Sequence, residues 1–327
     1  MQKVLVTGAS GFVGSNLIEK LLQEGCDVTA GIRKTSSRKY LQDPRIKFLD
    51  LPYNNSQELA NTLKQENFST VFHLAAITKA KKKEDFEKVN FGYAKSLIDA
   101  LKGLDTKLIF FSSFAAHGAG EEKTFCKCRV EDINIPNTEY GRTKLMAEEY
   151  LRNNFEGKYI ILRPTGVYGA RETDYFVYFK TLNNHLEPYL GFVPQRLTFV
   201  HIDDLVDVCV LAMNSQVSGK TYFVSDGNLY LDSEFADITK EILHTWTIKL
   251  KFPLFIVCWI SSFMECLGKI LGRTFTLNGD KFNILKARNW DCDIENLKQD
   301  LGYEPKVDLR KGVEKTIEWY KKEKWLN

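Results

Sequence analysis

The chain opens with a short apolar strand that runs directly into a glycine-rich turn and then into a helix. In the stretch VLVTGASGFVG, glycine stands at positions 8, 11 and 14. Because they lack a Cβ atom, these residues permit a tight turn, close approach of a phosphate to the backbone and close packing of helix on strand. The helix N-terminus then presents unpaired N–H groups and the positive end of its dipole. Gly8, Gly11 and Gly14 therefore predict a binding site for the pyrophosphate of a dinucleotide.

Strands and helices alternate from this turn to about residue 165. Buried-type strands are predicted at KVLVTG, DVTAGIR, IKFLDL, TVFHLAA, KLIFFSS and KYIILRP. Helical stretches separate them, one after the first strand and others around 56–66, 86–101 and 140–154. This pattern predicts an α/β fold, a Rossmann-type doubly wound parallel sheet with helices on both faces.

The regular alternation weakens after Pro164, where an aromatic-rich segment begins. We expect residues 1–165 to form the dinucleotide-binding Rossmann domain, with 197–225 returning to it as a strand and a helix. Residues 166–196 and 226–327 are expected to form a smaller, discontinuous C-terminal domain that binds substrate.

Composition limits the classes of function. The chain has 327 residues, 44% of them hydrophobic and 27% charged, with a formal net charge of +3. Such a chain can bury a substantial core, and its interspersed charges favour solvated faces over a nucleic-acid surface. Its seven cysteines form no CxxC pair, and no signal-like segment precedes the first strand. We expect a cytoplasmic protein with no metal site and no nucleic-acid partner.

The most apolar stretch, FPLFIVCWISSFMECL at 252–267, raises the question of a membrane contact. It is shorter than the about 20 residues that a membrane-spanning helix requires, and it contains Glu265. We therefore expect no membrane span, and interpret the segment as a buried helix or a cover over the substrate pocket, with contact at a membrane surface as a minor alternative.

Two copies of a tyrosine–lysine pair could support acid–base chemistry. Tyr140 and Lys144 in YGRTK are one helical turn apart and share a face, and so do Tyr320 and Lys324 in YKKEK. A free phenol has a pKa of about 10, so it needs a nearby cation before it can act as a base near neutrality. The second copy lies in a lysine-rich segment that we interpret as a solvated helix face.

Several motifs, taken in order, resemble those of the extended short-chain dehydrogenase/reductases, the superfamily that includes NAD-dependent epimerases and dehydratases. They are TGASGFVG, HLAA at 73–76, SSFAAHG, YGRTK, LRPTGVYG, FVHIDDLVD and NWDCDIENLKQDLGYEP. The resemblance covers most of the chain. It implies a nicotinamide-dependent enzyme with a small-molecule substrate and, as in many members of this branch, a homodimer.

The resemblance also implies a set of catalytic residues. The superfamily's serine, tyrosine and lysine correspond to Ser113, Tyr140 and Lys144. Ser113 would hydrogen-bond the substrate oxygen while Tyr140 gives or takes its proton, and hydride would move between the carbon and the nicotinamide. Lys144 would also hold the nicotinamide ribose. On this basis the pair at 140 and 144, rather than that at 320 and 324, is the working one.

Cofactor contacts are implied at the strand ends and in the loops that follow them. The acidic residue that approaches adenine corresponds to Asp50, and the backbone of residues 74–76 is expected beneath the cofactor. A structural role is an alternative for Asp50, Ala75 and Asn90. The full set is Gly8, Ser10, Gly11, Phe12, Val13, Gly14, Arg33, Asp50, Leu51, Leu74, Ala75, Ala76, Asn90, Ser112, Tyr140, Lys144, Pro164, Thr165 and Val167.

The end of the second strand indicates which cofactor is preferred. Folds that bind NAD place an acidic side chain there, whereas those that bind NADP place an arginine. In DVTAGIR the carboxylate of Asp27 is at the wrong end and Arg33 is at the right one, followed by further basic and hydroxyl residues. An arginine can hold a phosphate with two hydrogen bonds. We predict a preference for NADP(H), with NAD(H) also possible.

Three functions remain open at this stage. Sugar-nucleotide enzymes of the superfamily carry an asparagine where this chain has Gly166, and an arginine where it has Leu197, although Arg196 is adjacent. RPTGVYG followed by aromatic residues is closer to the dihydroflavonol-reductase and 3β-hydroxysteroid-dehydrogenase branch, whose pockets suit flat apolar molecules. We favour an alcohol/ketone oxidoreductase. A nucleotide-sugar epimerase or dehydratase is the alternative, and a non-catalytic cofactor-binding regulator is a second one.

Overall fold

The computed structural model of the protein describes residues 1–80, 82–271 and 279–326, with the side chains of 265–271 excepted. Its strands are β1 (Lys3–Thr7), β2 (Asp27–Gly31), β3 (Lys47–Leu49), β4 (Thr70–His73), β5 (Lys107–Phe111), β6 (Tyr159–Pro164), β7 (Gly166–Tyr168), β8 (Leu186–Leu190), β9 (Arg196–Leu197), β10 (Phe199–His201), β11 (Lys220–Val224), β12 (Tyr230–Leu231) and β13 (Ile248–Phe252).

Helices occupy much of the remaining chain, and one of them changes type along its length. The helices are α1 (Phe12–Gln23), α2 (Ser56–Glu66), α3 (Lys83–Phe86), α4 (Tyr93–Leu101), α5 (Phe114–His117), α6 (Glu139–Asn154), α7 (Asp174–Asn183), α8 (Ile202–Asn214), α9 (Asp232–Leu243), α10 (Leu254–Leu271), α11 (Gly279–Lys286), α12 (Glu295–Leu301) and α13 (Leu309–Lys322). A π-helical turn, Glu87–Gly92, joins α3 to α4 within the single helix that the sequence predicts at 86–101.

The main sheet is parallel and has seven strands in the order β11-β6-β5-β4-β1-β2-β3. The order runs outward in both directions from β1, so a cleft opens at the carboxyl ends of β1 and β4, where the direction of winding changes. The prediction of a doubly wound Rossmann-type fold is confirmed.

Alternate residues of the central strand face opposite layers of helices. Val4 and Val6 of β1 pack with α1 and α8, whereas Leu5 packs with α2 and α4. All three side chains are fully buried. Strands that are covered on both faces read as continuous apolar runs, which is why the sequence pattern identifies them so clearly.

The remaining strands form three short pairs, β10 with β7, β12 with β9 and β13 with β8. An aromatic cluster that includes Phe179, Phe199, Phe235 and Tyr320 lies beneath them. The segment 290–303, which we expected in the small domain, contributes Trp290 to the core cluster of the main sheet.

Candidate active site

Ser113 and Tyr140 are brought together by a close approach of two helices. Ser113 follows β5 and caps α5, its Oγ accepting a hydrogen bond from the Ala115 amide at 3.1 Å. Tyr140 lies in the first turn of α6, next to Gly141. A Cβ atom on Gly141 would lie 2.1 Å from the Ala115 carbonyl oxygen, so only glycine allows α6 to approach this closely.

The electrostatics of Tyr140 reflect this arrangement. Burial raises the pKa of the Tyr140 phenol, and the Ser113 hydroxyl acts in the opposite direction. Ser113 is thus close enough to share a substrate oxygen with Tyr140. A serine and a phenol on one oxygen can hold it and exchange a proton with it.

Lys144 is one turn further along α6 and is almost completely buried, with 1% of its surface exposed. Burial lowers the pKa of its ammonium to about 8, while Glu148 raises it. The ammonium lies 4.6 Å from the centre of the Phe110 ring. A buried cation near the end of β5 can hold hydroxyl groups and stabilise negative charge on an adjacent phenol.

A buried ion pair fixes the helix that carries Tyr140 and Lys144. Glu148 accepts hydrogen bonds from Arg163 Nε at 2.9 Å and Arg163 Nη2 at 2.7 Å. Both side chains are fully buried. Arg163 belongs to β6, so the pair ties α6 directly to the main sheet.

The glycine-rich turn has the shape that a dinucleotide requires. Gly8 has a φ of +68°, and a Cβ atom there would lie 2.8 Å from the Ala75 amide nitrogen. Gly11 caps α1 with no side chain, and the first turn of α1 has no acidic residue. A Cβ on Gly11 would meet only the Gly8 carbonyl oxygen within 4 Å, so its outer side is open. These residues fit a pyrophosphate at the N-terminus of α1.

Thr7 is a residue at this site that the sequence reasoning missed. Its Oγ1 accepts hydrogen bonds from the Leu74 and Ala75 amides, both at 3.2 Å, and lies 2.9 Å from His73 Nδ1. Thr7 therefore fixes the backbone that we expect beneath the cofactor. The signal was the threonine that precedes the first glycine, which we had treated only as part of the strand.

Asn90 has a structural role in this arrangement. Its side chain is fully buried, accepts a hydrogen bond from the Ile77 amide at 2.8 Å, and donates to the Ile77 carbonyl and to Thr143 Oγ1. The π-helical turn carries this amide toward the loop after β4. Asn90 thus positions that loop and α6, which supports the structural role that we gave as the alternative to a cofactor contact.

Other predicted residues lie at or near the carboxyl ends of the strands. Ser10, Phe12, Val13 and Gly14 belong to the turn and first residues of α1, and Leu74, Ala75 and Ala76 follow β4. Ser112 is buried after β5, and Pro164, Thr165 and Val167 lie at the end of β6 and in β7. Arg33 and Asp50 are exposed beyond β2 and β3, whereas Leu51 is buried and contacts the Gly31 position.

At position 166 the structure explains the missing asparagine. A Cβ atom on Gly166 would lie 2.5 Å from the Tyr175 hydroxyl oxygen. The phenol of Tyr175 therefore occupies the space that a larger residue 166 would need. Arg196, the alternative to an arginine at 197, lies 3.5 Å from Asp291 and 5.3 Å from the centre of the Phe125 ring.

Asp280 of α11 is a second residue that the sequence reasoning missed. Its two carboxylate oxygens accept hydrogen bonds from the Glu139 and Tyr140 amides, each at 3.2 Å. A carboxylate at a helix N-terminus is stabilised by the free N–H groups and the dipole. Asp280 of α11 therefore holds the start of α6. Because about 140 residues separate the partners, no local sequence pattern could predict this contact.

The structure contradicts two expectations. Tyr320 is not on a solvated face: it is fully buried, and its hydroxyl donates to the Glu172 carbonyl at 2.9 Å. Val313, Ile317 and Tyr320 form the apolar stripe of α13, while Lys324 lies beyond the helix end. Of the two roles expected for 252–267, a buried helix is wrong, because Trp259 is 80% exposed, whereas a cover over the substrate pocket stays a prediction; the side chains of 265–267 lie outside the described ones.

Neither a cluster of metal-ligating side chains nor a membrane-spanning helix is found among the described residues. Among the described residues, no group of three or more histidine, cysteine, aspartate or glutamate side chains could hold a metal ion. Within the same residues, no helix has the length and apolarity that crossing a membrane requires.

Comparison with known proteins identifies the family. The model of the NAD dependent epimerase/dehydratase family matches residues 4–225, well over half of the chain. The chain belongs to that family. It is therefore an enzyme of the extended short-chain dehydrogenase/reductase superfamily, as the motifs indicated.

Individual relatives span different reactions. The chain is 23% identical over 344 residues to a decarboxylating sterol-4-alpha-carboxylate 3-dehydrogenase of Candida albicans, which covers 98% of this chain and 97% of that protein. It is 26% identical over 339 residues to a UDP-glucose 4-epimerase of Vibrio cholerae, covering 97% and 95%. These family members include both a dehydrogenase and an epimerase, so they fit both of the enzymatic functions considered from the sequence.

Solved structures share the fold along the whole chain. A UDP-glucose 4-epimerase of Thermotoga maritima, solved with UDP-glucose, superposes with a TM-score of 0.80 at 22% identity, covering 98% of this chain and 99% of that one. A dTDP-glucose 4,6-dehydratase of Bacillus anthracis, solved with NAD, has a TM-score of 0.79 at 19% identity, covering 99% and 98%.

Proposed function

We propose that the protein is an NAD(P)-dependent oxidoreductase that acts on an alcohol or ketone carbon, with Tyr140 as the acid–base residue. The observation that carries the proposal is the close approach of Ser113 to Tyr140 beside the buried Lys144. Ser113 orients the substrate oxygen, Tyr140 exchanges its proton, and Lys144 stabilises the phenolate and holds the ribose. When bound, the nicotinamide supplies the hydride acceptor or donor.

The substrate we propose is flat and largely apolar. Position 166 offers no amide to a sugar diphosphate, because Gly166 leaves its space to the Tyr175 phenol. Tyr175 itself packs among Tyr168, Phe199 and Phe235. The surroundings of position 166 are therefore aromatic and buried, which supports an apolar substrate over a charged sugar nucleotide.

A nucleotide-sugar epimerase or dehydratase is the second candidate. The epimerase of Vibrio cholerae and the solved epimerase of Thermotoga maritima favour it, since both align along nearly the whole chain. An epimerase returns its cofactor to the starting state in each turnover, so it causes no net change in absorbance at the nicotinamide band. A reductase consumes added cofactor.

An absorbance assay separates the two functions. Purified protein with added NADPH or NADH is offered a panel of apolar ketones and, in parallel, UDP-glucose and dTDP-glucose, whose conversion is followed by chromatography. We expect cofactor consumption with at least one ketone and no conversion of either sugar nucleotide. Conversion of a sugar nucleotide without net cofactor consumption would establish the second candidate instead.

We further propose that NADPH is preferred over NADH. The dehydratase of Bacillus anthracis was solved with NAD, but here Asp27 stands at the start of β2 and is paired with Lys47 at 2.7 Å. Arg33 follows the end of β2 and is exposed, and its amide donates to Ser36 Oγ at 3.2 Å. A charge-assisted contact from Arg33 to the 2′-phosphate contributes about 1.5–3 kcal/mol, which is roughly tenfold or more in affinity.

Fluorescence titration of both reduced cofactors tests this preference. Arg33→Ala should remove most of the preference for NADPH while leaving NADH affinity unchanged. Equal affinity of the unmodified protein for the two cofactors would refute it. Two finer predictions, a cytoplasmic location and a homodimer, are open to cell fractionation and to light scattering on the purified protein.

A further inference from the structure

A surface of exposed apolar side chains covers one side of the small domain. Strand β13 pairs in parallel with β8, and the Gly191 amide donates to the Phe252 carbonyl at 2.8 Å, so 186–193 and 246–263 form one continuous surface. Phe192, Phe255 and Phe263 are each at least 66% exposed, and Trp259 is 80% exposed. We call residues 186–193 and 246–263 the apolar surface. Such a concentration of exposed aromatic side chains marks a contact with another phase or another molecule.

The first part of helix α10, residues 254–263, belongs to this surface. Among the described side chains of α10, Val257 and Ser261, four residues apart, are the buried ones, with 5% and 1% exposed. Phe255, Trp259 and Phe263 recur every four residues and form an aromatic row that points away from the protein. The helix therefore has a protein-facing side and a second apolar side that the described residues leave exposed.

The charge of the apolar surface is positive. Within the apolar surface, residues 246–263 include Lys249 and Lys251 and no acidic residue, and Glu265 lies just beyond them in sequence. Both lysines are exposed. Glu187 is the acidic residue of 186–193, and it is buried; its carboxylate lies 2.9 Å from Lys240 Nζ and 3.7 Å from Lys249 Nζ. Of the two lysines, Lys251 is therefore the one further from this carboxylate in the strand pairing, and Lys249 keeps an exposed side chain beside it. An exposed aromatic row bordered by cations is complementary to an interface that is apolar inside and anionic outside.

We propose that the apolar surface docks onto an anionic lipid bilayer. The aromatic row of α10 would enter the boundary between head groups and acyl chains, where Trp and Phe side chains are stable, and Lys249 and Lys251 would meet lipid phosphates. The helix lies on the bilayer and does not span it, in agreement with the absence of a spanning helix among the described residues. This docking does not depend on the reaction proposed above.

Charge argues against a second copy of the chain as the occupant. In a two-fold symmetric contact, the same surface of each copy faces the other. Lys249 and Lys251 would then approach their equivalents, and the one carboxylate within the apolar surface, that of Glu187, is buried and cannot reach the other copy. A bilayer with anionic head groups supplies the missing negative charge.

Flotation of the full-length protein with vesicles tests the proposal. We expect the protein to float with vesicles that contain phosphatidylglycerol, to float less with pure phosphatidylcholine, and to be released by raised salt. Trp259→Ser/Phe263→Ser should lower the partition coefficient by at least roughly tenfold. Lys249→Glu/Lys251→Glu should remove the preference for phosphatidylglycerol, which is worth about fivefold per lysine.

A matched control uses exposed apolar residues elsewhere. Ile133 and Ile135 are 83% and 70% exposed in the loop before α6. Ile133→Ser/Ile135→Ser should float like the unmodified protein, and all variants should keep its melting temperature and NADH affinity. The absence of flotation with phosphatidylglycerol vesicles would overturn the proposal. So would a dimer that Trp259→Ser/Phe263→Ser converts to monomer, because the surface would then join two copies.

Discussion

Replacing Gly141 with alanine tests whether the close approach of α6 to α5 builds the active site. The added Cβ would lie 2.1 Å from the Ala115 carbonyl oxygen and 2.8 Å from its carbon. Backbone atoms cannot rotate away as a flexible side chain can. To reach the 3.0 Å below which real Cβ contacts essentially do not occur, α6 and α5 must separate by about 0.9 Å, the difference between 3.0 and 2.1 Å.

The cost of that separation can be set against the gain from a better helix former. Overpacking against a rigid neighbour costs about 3 kcal/mol at the upper end of its range. Alanine instead of glycine inside a helix returns about 1 kcal/mol. The net loss of about 2 kcal/mol corresponds to a fall in melting temperature of roughly 3 °C for a chain of 327 residues. Because Tyr140 moves with Gly141, turnover should also fall, by about a hundredfold for a displacement near 1 Å.

Gly92 provides the matched control. It also lies in a helical backbone, with φ −61° and ψ −45°, but a Cβ there would meet the nearest atom, the Glu87 carbonyl oxygen, at 3.6 Å. Gly92→Ala should therefore stabilise the protein by about 0.5–1 kcal/mol. Thermal unfolding followed by circular dichroism measures both variants. If the two substitutions shift the melting temperature in the same direction, close packing at Gly141 does not set the position of α6.

Three further predictions concern groups on or near α6. Tyr140→Phe should abolish turnover and keep cofactor affinity, whereas Tyr320→Phe should keep turnover and lose about 0.5–1.5 kcal/mol of stability with its buried hydrogen bond; equal turnover in the two variants would refute the assignment. Folded Lys144 has a pKa of about 8 against an ordinary 10.5, so between these values the unfolded state binds more protons and the free energy of unfolding rises with pH. Lys144→Met should flatten that rise and increase the free energy of unfolding by roughly 3 kcal/mol at pH 7. If denaturant titrations show the same dependence of this free energy on pH in the variant, the lowered pKa of Lys144 is contradicted. Glu148→Gln should lower the free energy of unfolding by about 3–5 kcal/mol, because it leaves Arg163 buried and unpaired. Glu66→Gln, in a partly exposed pair with Lys3, should lower it by at most about 1 kcal/mol. Similar losses of the two variants in chemical denaturation would contradict the difference between buried and exposed pairs.

The parallel sheet could be predicted because each of its strands carries its own signal. A run such as KLIFF is buried on both faces and needs no knowledge of its neighbours to be recognised as a strand. The glycine turn is likewise local, since Gly8, Gly11 and Gly14 act within one turn of chain. Helix α6 was visible for the same reason, through its apolar spacing.

Contacts between distant segments of the chain could not be predicted from the sequence. The Tyr140 amide donates a hydrogen bond to Asp280, which lies 140 residues further along the chain. The Tyr175 phenol of α7 fills the space beside Gly166 of β7. Tyr320 was misjudged because lysines flank it in sequence, while the 3.6-residue period of α13 turns it inward with Ile317. In each case the deciding partner lies in another element.

Two sets of contacts, one stronger than the other, fix the position of Tyr140. On the sheet side, α6 is fixed by a buried ion pair, Glu148 with Arg163, and by the steric contact of Gly141 with Ala115. On the other side, one carboxylate, Asp280, accepts from the Glu139 and Tyr140 amides at 3.2 Å. The first two contacts hold α6 in the Rossmann core whatever the small domain does, because they need no residue from it. The Tyr140 phenol is therefore held mainly by contacts with the Rossmann core, and a change in the small domain that leaves these contacts intact should not move it.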